Sequence, residues 1–279
     1  MLDAGLATLI LLALPAQSAL TSTEAAEAPP ATSFFEEVED ETLGPVEIAA
    51  AVARGERAFR SHCVTCHGVT GRGDGPSARW LSPRPRDLVR GEFKWRTTPT
   101  GEMPTDRDLL RTIDEGAPGT AMPSFRKRLP EQMRRDLVQY VKTFCPRFKQ
   151  PLPAALDIPE VPGASEELIA QGRALFQRLK CWECHGETGR GDGPSSGTLV
   201  DSEGLPIEAY DFTSGVYKGG ATPEAIYRTF MTGLNGTPMP SFALSISAGE
   251  RWPLVFYTLS LHRERGIFDY LFGSLEQQP

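Results

Sequence analysis

The chain has 279 residues, enough for about two domains, and its 40% hydrophobic content is that of an ordinary globular protein. Its net charge of −7 is unevenly spread. Residues 1–44 carry 8 acids and no Lys or Arg, residues 45–149 carry 20 bases against 12 acids, and residues 150–279 carry 9 bases against 16 acids. That asymmetry bears on encounter and docking rather than on fold, and no nucleic-acid partner is expected.

Residues 1–19 read as an export signal. Gly5 to Leu14 supply a short apolar core, and Ala16-Gln17-Ser18-Ala19 supply small residues for cleavage. The stretch is short for a membrane span. Its first residues contain Asp3 and no Lys or Arg, so cleavage and an uncleaved anchor both stay open. Residues 20–44 read as an acidic flexible arm, rich in Ala, Pro, Thr and Glu, with Phe34 and Phe35 beside an acidic run at 36–41.

An internal repeat dictates the architecture from residue 45 onward. Gly55 and Phe59 match Gly172 and Phe176. Gly71-Arg72-Gly73-Asp74-Gly75-Pro76-Ser77 matches Gly189-Arg190-Gly191-Asp192-Gly193-Pro194-Ser195. Gly119-Thr120-Ala121-Met122-Pro123-Ser124-Phe125 matches Gly236-Thr237-Pro238-Met239-Pro240-Ser241-Phe242, and Tyr140 matches Tyr257. The offset is 117 or 118 at these anchors and rises to 124 where Asp87 aligns with Asp211 and Lys94 with Lys218. The second copy therefore has a longer loop near Val200–Pro206, and the first has one near Trp95–Gly101.

Each copy reads as helices joined by long loops. Residues 46–62 are amphipathic, and Pro130 to Phe144 present Met133, Leu137, Tyr140, Val141 and Phe144 on one stripe, with a counterpart from Ala248 to His262. Thr105-Asp106 and Thr222-Pro223 open short helices, with Pro223 suited to a first turn. No stretch alternates with period 2, so the fold class is all-α. Residues 45–149 and 164–265 are the two domains. Five prolines within 146–163 mark an extended connection whose linker proper is 150–163, draped over the domains rather than held straight. Residues 266–279 form an apolar C-terminal tail.

The chemistry lies in Cys63-Val64-Thr65-Cys66-His67 and Cys181-Trp182-Glu183-Cys184-His185. Each is a Cys-x-x-Cys-His, the attachment signature of c-type haem. Two thiols three positions apart on one helical turn can add across the porphyrin vinyl groups, and the next residue offers its imidazole to the iron. A redox dithiol needs no following His, and a zinc site wants its cysteine pairs closer together. Four of the five cysteines are used in this way, so Cys145 has no unmodified partner and no internal disulfide is expected.

With these motifs in place, residues 46–145 and 164–262 resemble class I cytochromes c in a tandem dihaem form. The resemblance implies two covalent haem c groups, held by Cys63, Cys66 and His67 and by Cys181, Cys184 and His185. It implies Met122 and Met239 as distal iron ligands, with Met103 as the rival in the first copy and Met231 as a core residue. It implies that Gly55 and Phe59 meet Tyr140, that Gly172 and Phe176 meet Tyr257, and that the carbonyls of Pro76 and Pro194 accept from the proximal His Nδ1–H. His62, His262 and Cys145 read as structural. The implied function is single-electron transfer between redox proteins in the periplasm, as a shuttle or, by preference, as a subunit of a respiratory or dehydrogenase complex. Donor and acceptor proteins are the expected partners, with no small-molecule substrate. A dihaem peroxidase with one open haem is the alternative, and a structural or tethering subunit is a third. Arg84, Arg86, Arg90, Lys94 and Arg96 in one loop, and Arg126, Lys127 and Arg128 after Met122, are candidate docking cations.

Overall fold

The computed structural model describes residues 44–262. The export signal, the acidic arm to residue 43 and the apolar tail at 266–279 lie outside the described residues. Among those described, the protein is all-α: eight α-helices, short 3₁₀ turns and one isolated antiparallel bridge, Val200 with Pro206, in the longer loop of the second copy. No described helix is long and apolar enough to cross a membrane.

The first half contains α1 (Pro45–His62), α2 (Val64–His67), α3 (Asp106–Glu115) and α4 (Glu131–Lys142), and the second repeats the set as α5 (Glu166–Arg178), α6 (Trp182–His185), α7 (Pro223–Thr232) and α8 (Ala248–Ser260). Local chemistry sets the boundaries. Thr105 caps α3 by accepting from the Asp108 amide at 3.1 Å, while Asp108 accepts in turn from the Thr105 amide. Thr222 caps α7 by accepting from the Ala225 amide at 3.3 Å, without a reciprocal bond, and Pro223 stands in the first turn where its missing N–H costs nothing. Both helices stop at a glycine with positive φ, Gly116 and Gly233.

In each half the first and last helices cross at a glycine. A Cβ at Gly55 would run into the Asp136 carbonyl oxygen, and one at Gly172 into that of Pro253. No other residue allows these backbones so close. One turn on, Phe59 and Tyr140 meet with ring centroids 5.3 Å apart, as do Phe176 and Tyr257. Phe59 and Phe176 are buried, and each contributes about 1.5–3 kcal/mol through its burial. The second core is aromatic, with Tyr227, Trp252 and Phe256 together, and Met231 is buried there. In the first, buried Met103 and Cys145 pack with Phe59, Leu109 and Leu137.

The two halves form one compact unit. A Cβ at Gly119 would lie 3.3 Å from Val216 Cγ1, and one at Gly236 would lie 3.0 Å from Glu92 Oε2. Glu92 and Val216 are equivalent in the repeat, as are Gly119 and Gly236. The swapped contacts are the signature of an approximate two-fold axis between the halves. Residues 150–163 are extended, with the Leu156 amide donating to the Thr97 carbonyl at 2.6 Å and Leu156, Ile158 and Val161 packed on the second core.

Candidate haem-binding sites

The single-turn helices α2 and α6 carry the two Cys-x-x-Cys-His motifs, and a glycine-rich loop folds back on each. In the first half Gly73 N donates to the His67 carbonyl (2.9 Å), Gly75 N to Cys66 (3.2 Å) and Ser77 N to Thr65 (3.0 Å). In the second, Gly191 N donates to His185 (2.8 Å), Gly193 N to Cys184 (3.1 Å) and Ser195 N to Glu183 (2.8 Å). The orphan carbonyls of a one-turn helix are thereby satisfied. Gly73 and Gly191 sit at φ near +72° and +76°, which a side chain would disfavour.

This clamp moves the prolines away from the role expected of them. Pro76 and Pro194 are flanked by amides bonded to the motif backbone, and the proximal histidines find other acceptors. His67 Nδ1–H donates to the Arg86 carbonyl at 3.2 Å, and His185 Nδ1–H to the Tyr210 carbonyl at 3.0 Å. The expectation for the Pro76 and Pro194 carbonyls is corrected accordingly. The extended segment after the loop, pinned by Leu88 N to Gly71 O and by Phe212 N to Gly189 O (both 2.7 Å), is what passes the ring.

The donor set suits haem c. A carbonyl only accepts, so Nδ1 carries the proton in both histidines and Nε2 keeps its lone pair. Burial lowers the pKa of both imidazoles and keeps them neutral, as iron ligation requires. Burial pushes the Cys63 thiol up to about 12 and Cys181 up to about 11. Reactive redox dithiols have depressed pKa values, so these pairs do not fit a thioredoxin-like role. Among the described residues no cluster of three or more His, Cys, Asp or Glu converges as a zinc site would need.

The two methionine loops are built alike. Ala117 N donates to Met122 O (3.0 Å) and Leu234 N to Met239 O (3.1 Å). Thr120 and Thr237 hydroxyls accept from the Met122 and Met239 amides at 3.1 and 3.3 Å. Ser124 Oγ donates to the Asp114 carbonyl and Ser241 Oγ to that of Met231, tying each loop to the end of α3 or α7. Both thioethers are part-buried beside their domain core. Met103 is only 2% exposed. A Cβ at Gly91 would lie 3.2 Å from Met103 Sδ and 2.9 Å from Cys145 Sγ, so Met103 is packed as filler. His62 is exposed, and His262 Nδ1–H donates to the Thr213 carbonyl at 3.2 Å.

Sequence reasoning missed the buried charges. Arg134 pairs with Asp114, Arg54 grips Asp136 through two hydrogen bonds of 2.7 and 2.8 Å, and Asp108 pairs with Arg111 at 2.7 Å. Arg96 is fully buried at the junction of the halves. No signal in the sequence separated these residues from solvated charges, because α3 and α4 carry charge on several faces. Of the two docking clusters, the first is largely absorbed by the domain junction. Arg90 donates to the Ser202 carbonyl, and Lys94 lies near Arg86 and Lys218. Arg126, Lys127 and Arg128 are exposed.

The comparisons agree with this geometry. Residues 50–141 match the family described as cytochrome c oxidase, cbb3-type, subunit III, and residues 169–262 match the family described as cytochrome c. No curated protein matches the chain. A solved structure titled Kuenenia stuttgartiensis reducing HAO-like protein complex Kustc0457/Kustc0458 contains a similar chain, 42% identical. The match covers 75% of this chain and 96% of that one with a TM-score of 0.73. The chain belongs to the class I c-type cytochromes, with two cytochrome c domains in tandem. It is an electron-transfer protein whose domains bind covalent haem c.

Proposed function

We propose that this chain is a periplasmic dihaem subunit that passes single electrons between redox proteins within a multi-subunit oxidoreductase complex. Cys63 and Cys66 hold one haem c and Cys181 and Cys184 the other. His67 and His185 are the proximal ligands, and Met122 and Met239 the distal ones. The observation that carries this reading is the duplication of the whole constellation. Both halves have a neutral imidazole with Nδ1–H on a backbone carbonyl, and a part-buried methionine on a loop tied to the preceding helix.

Bound haem supplies a one-electron couple. The protein's part is to orient the imidazoles, to raise their basicity through the Nδ1–H bond, and to hold the thioethers so that neither iron has an open position. The likeness of the two distal loops speaks against the peroxidase alternative, which needs unequal distal sides. A place in a complex is supported by the similar chain, which belongs to a reducing HAO-like protein complex. Export is supported by the apolar segment at residues 5–14 and by the fact that haem c is attached outside the cytoplasm. Arg126, Lys127 and Arg128 offer a docking face to an acidic redox protein.

The test is the native protein from its own source. Two haem additions by mass spectrometry, low-spin spectra for both haems, loss of the N-terminal segment and a co-purifying redox subunit support the proposal. Peroxide turnover with a high-spin haem defeats it.

A further inference from the structure

The loop that only the first half possesses reaches across the junction. Ten residues separate Lys94 from Thr105, whereas three separate the equivalent Lys218 from Thr222. Arg96 in this loop is 0% exposed, yet among the described residues no carboxylate forms an ion pair with it. Its guanidinium instead donates to backbone carbonyls. Nε reaches Pro99 at 3.1 Å, and Nη1 reaches Phe93 at 3.3 Å and Lys94 at 3.4 Å within its own loop. Nη2 reaches Thr232 at 2.5 Å, and Nη1 reaches Gly233 at 3.4 Å, in the other half.

Thr232 and Gly233 are the last residue and the C-cap of α7. Their carbonyls are orphan acceptors at the negative end of the helix dipole, where a cation is favoured. The rest of the loop extends the grip. Thr100 Oγ1 donates to the Thr232 carbonyl at 2.8 Å, and the Gly101 amide to Asn235 Oδ1 at 3.0 Å. Ser202 N donates to Gly236 O at 3.2 Å, while Ser202 itself is held by Glu92 and Arg90 of the first half. Residues 232–236 lead directly into Met239. Among the described residues no hydrogen bond crosses the junction to the equivalent run before Met122, residues 115–119, which faces Val216, Lys218, Gly219 and Gly220 of the other half.

We propose that Arg96 is a positioning residue for the second haem: by capping α7 across the domain junction it fixes the loop that presents Met239 to the iron. The two distal methionines therefore differ in lability although their own loops match. Met239 is buttressed by the other domain, and Met122 is the one displaced first by a competing ligand. Burial lowers the Arg96 pKa to about 10, so the guanidinium stays charged at neutral pH.

The inference rests on the proposed ligation by Met239, and its test is arranged to separate the two. Oxidised full-length holoprotein labelled at the methionine methyl groups is followed by NMR, with Met122→Ala and Met239→Ala assigning the iron-shifted signals. Imidazole is then titrated as the competing ligand. In the wild type it displaces Met122 at lower concentration than Met239. In Arg96→Leu it binds the second haem about tenfold more tightly, and the first within about twofold of wild type, as expected for losing hydrogen bonds from a charged donor. Arg96→Lys, which keeps the cation, falls between.

An equal gain at both haems shows general loosening and overturns the proposal, as does an unchanged second haem. Asn235→Ala and Thr100→Val each remove one contact to the same loop. They give a smaller effect confined to the second haem, also where Arg96→Leu does not accumulate, and no effect from either overturns the proposal. If Met239→Ala leaves every iron-shifted signal in place, the ligation reading itself fails, and the role of Arg96 with it.

Discussion

The two halves fill one scaffold with different chemistry. Where the first places the buried pair Asp114 and Arg134 beneath its distal loop, the second has Met231 at the position of Asp114, and Arg251 donates to the Tyr227 hydroxyl at 3.2 Å. Where Asp136 accepts two hydrogen bonds from Arg54, the second half has Pro253 inside α8. Where Arg126, Lys127 and Arg128 follow the Met122 loop, Ala243, Leu244 and Ser245 follow the Met239 loop, with Leu244 fully exposed. What stays constant is what the backbone demands: the crossing glycines, the aromatic pair behind them, the clamped motif turn and the serine that ties the methionine loop. The lesson is that the haem cradle is set by close backbone approach and a few hydrogen bonds. The remaining core can be ionic or aromatic, provided it is filled.

The largest test of this independence removes one site altogether. Cys181→Ala with Cys184→Ala is expected to lower the haem count by mass spectrometry from two to one. The remaining haem is expected to keep the low-spin spectrum that the proposed His67–Met122 ligation gives. Loss of both haems would show that the halves mature as one unit.

A smaller effect separates the two cores. Asp114→Ala leaves Arg134 buried without its partner and is expected to cost about 3–5 kcal/mol in denaturant unfolding. Asp114→Met with Arg134→Leu, which replaces the ionic pair by apolar side chains, should recover most of that loss. If the double substitution is as damaging as the single one, the ionic filling is not interchangeable with the apolar one.

The surface difference is tested by rate. Reversing Arg126, Lys127 and Arg128 to Glu should slow electron exchange with an acidic redox partner about tenfold or more at low ionic strength and flatten its salt dependence. Leu244→Asp in the second half should leave the salt dependence as it was. Redox potentials should move little in either variant. An unchanged rate for the triple reversal would move docking to another face.

The smallest effect lies at the junction. Burial, then the nearby Arg86 and Lys218, lower the Lys94 pKa to about 8 from an ordinary value of 10.5. Protonated Lys94 therefore opposes folding. In the unfolded chain it stays protonated up to about pH 10.4. Stability should rise with pH between 8 and 10.5 by on the order of 1–2 kcal/mol, because over that window the unfolded state binds the extra proton. In Lys94→Met this increment should vanish from thermal melts.

Much of the molecule was legible beforehand. The repeat implied two matching domains. Thr105 and Thr222 marked the starts of α3 and α7 because a side-chain oxygen can satisfy the first free amides. The resemblance to class I cytochromes c implied the helix crossings at Gly55 and Tyr140 and at Gly172 and Tyr257, where glycine lets the two backbones approach closely. These features are encoded within a few residues or by residue types with one mechanical use.

What the tertiary structure alone decided has no such local signature. The acceptors for the His67 and His185 protons are the carbonyls of Arg86 and Tyr210, and every residue has a carbonyl. The choice follows from the path of the chain 19 and 25 residues downstream, not from side-chain identity. Arg96 reads in sequence as one more base in a basic loop. It becomes a buried helix cap only because α7 of the second half ends beside it, and a helix C-terminus presents carbonyls that a cation can satisfy wherever in the chain that cation originates.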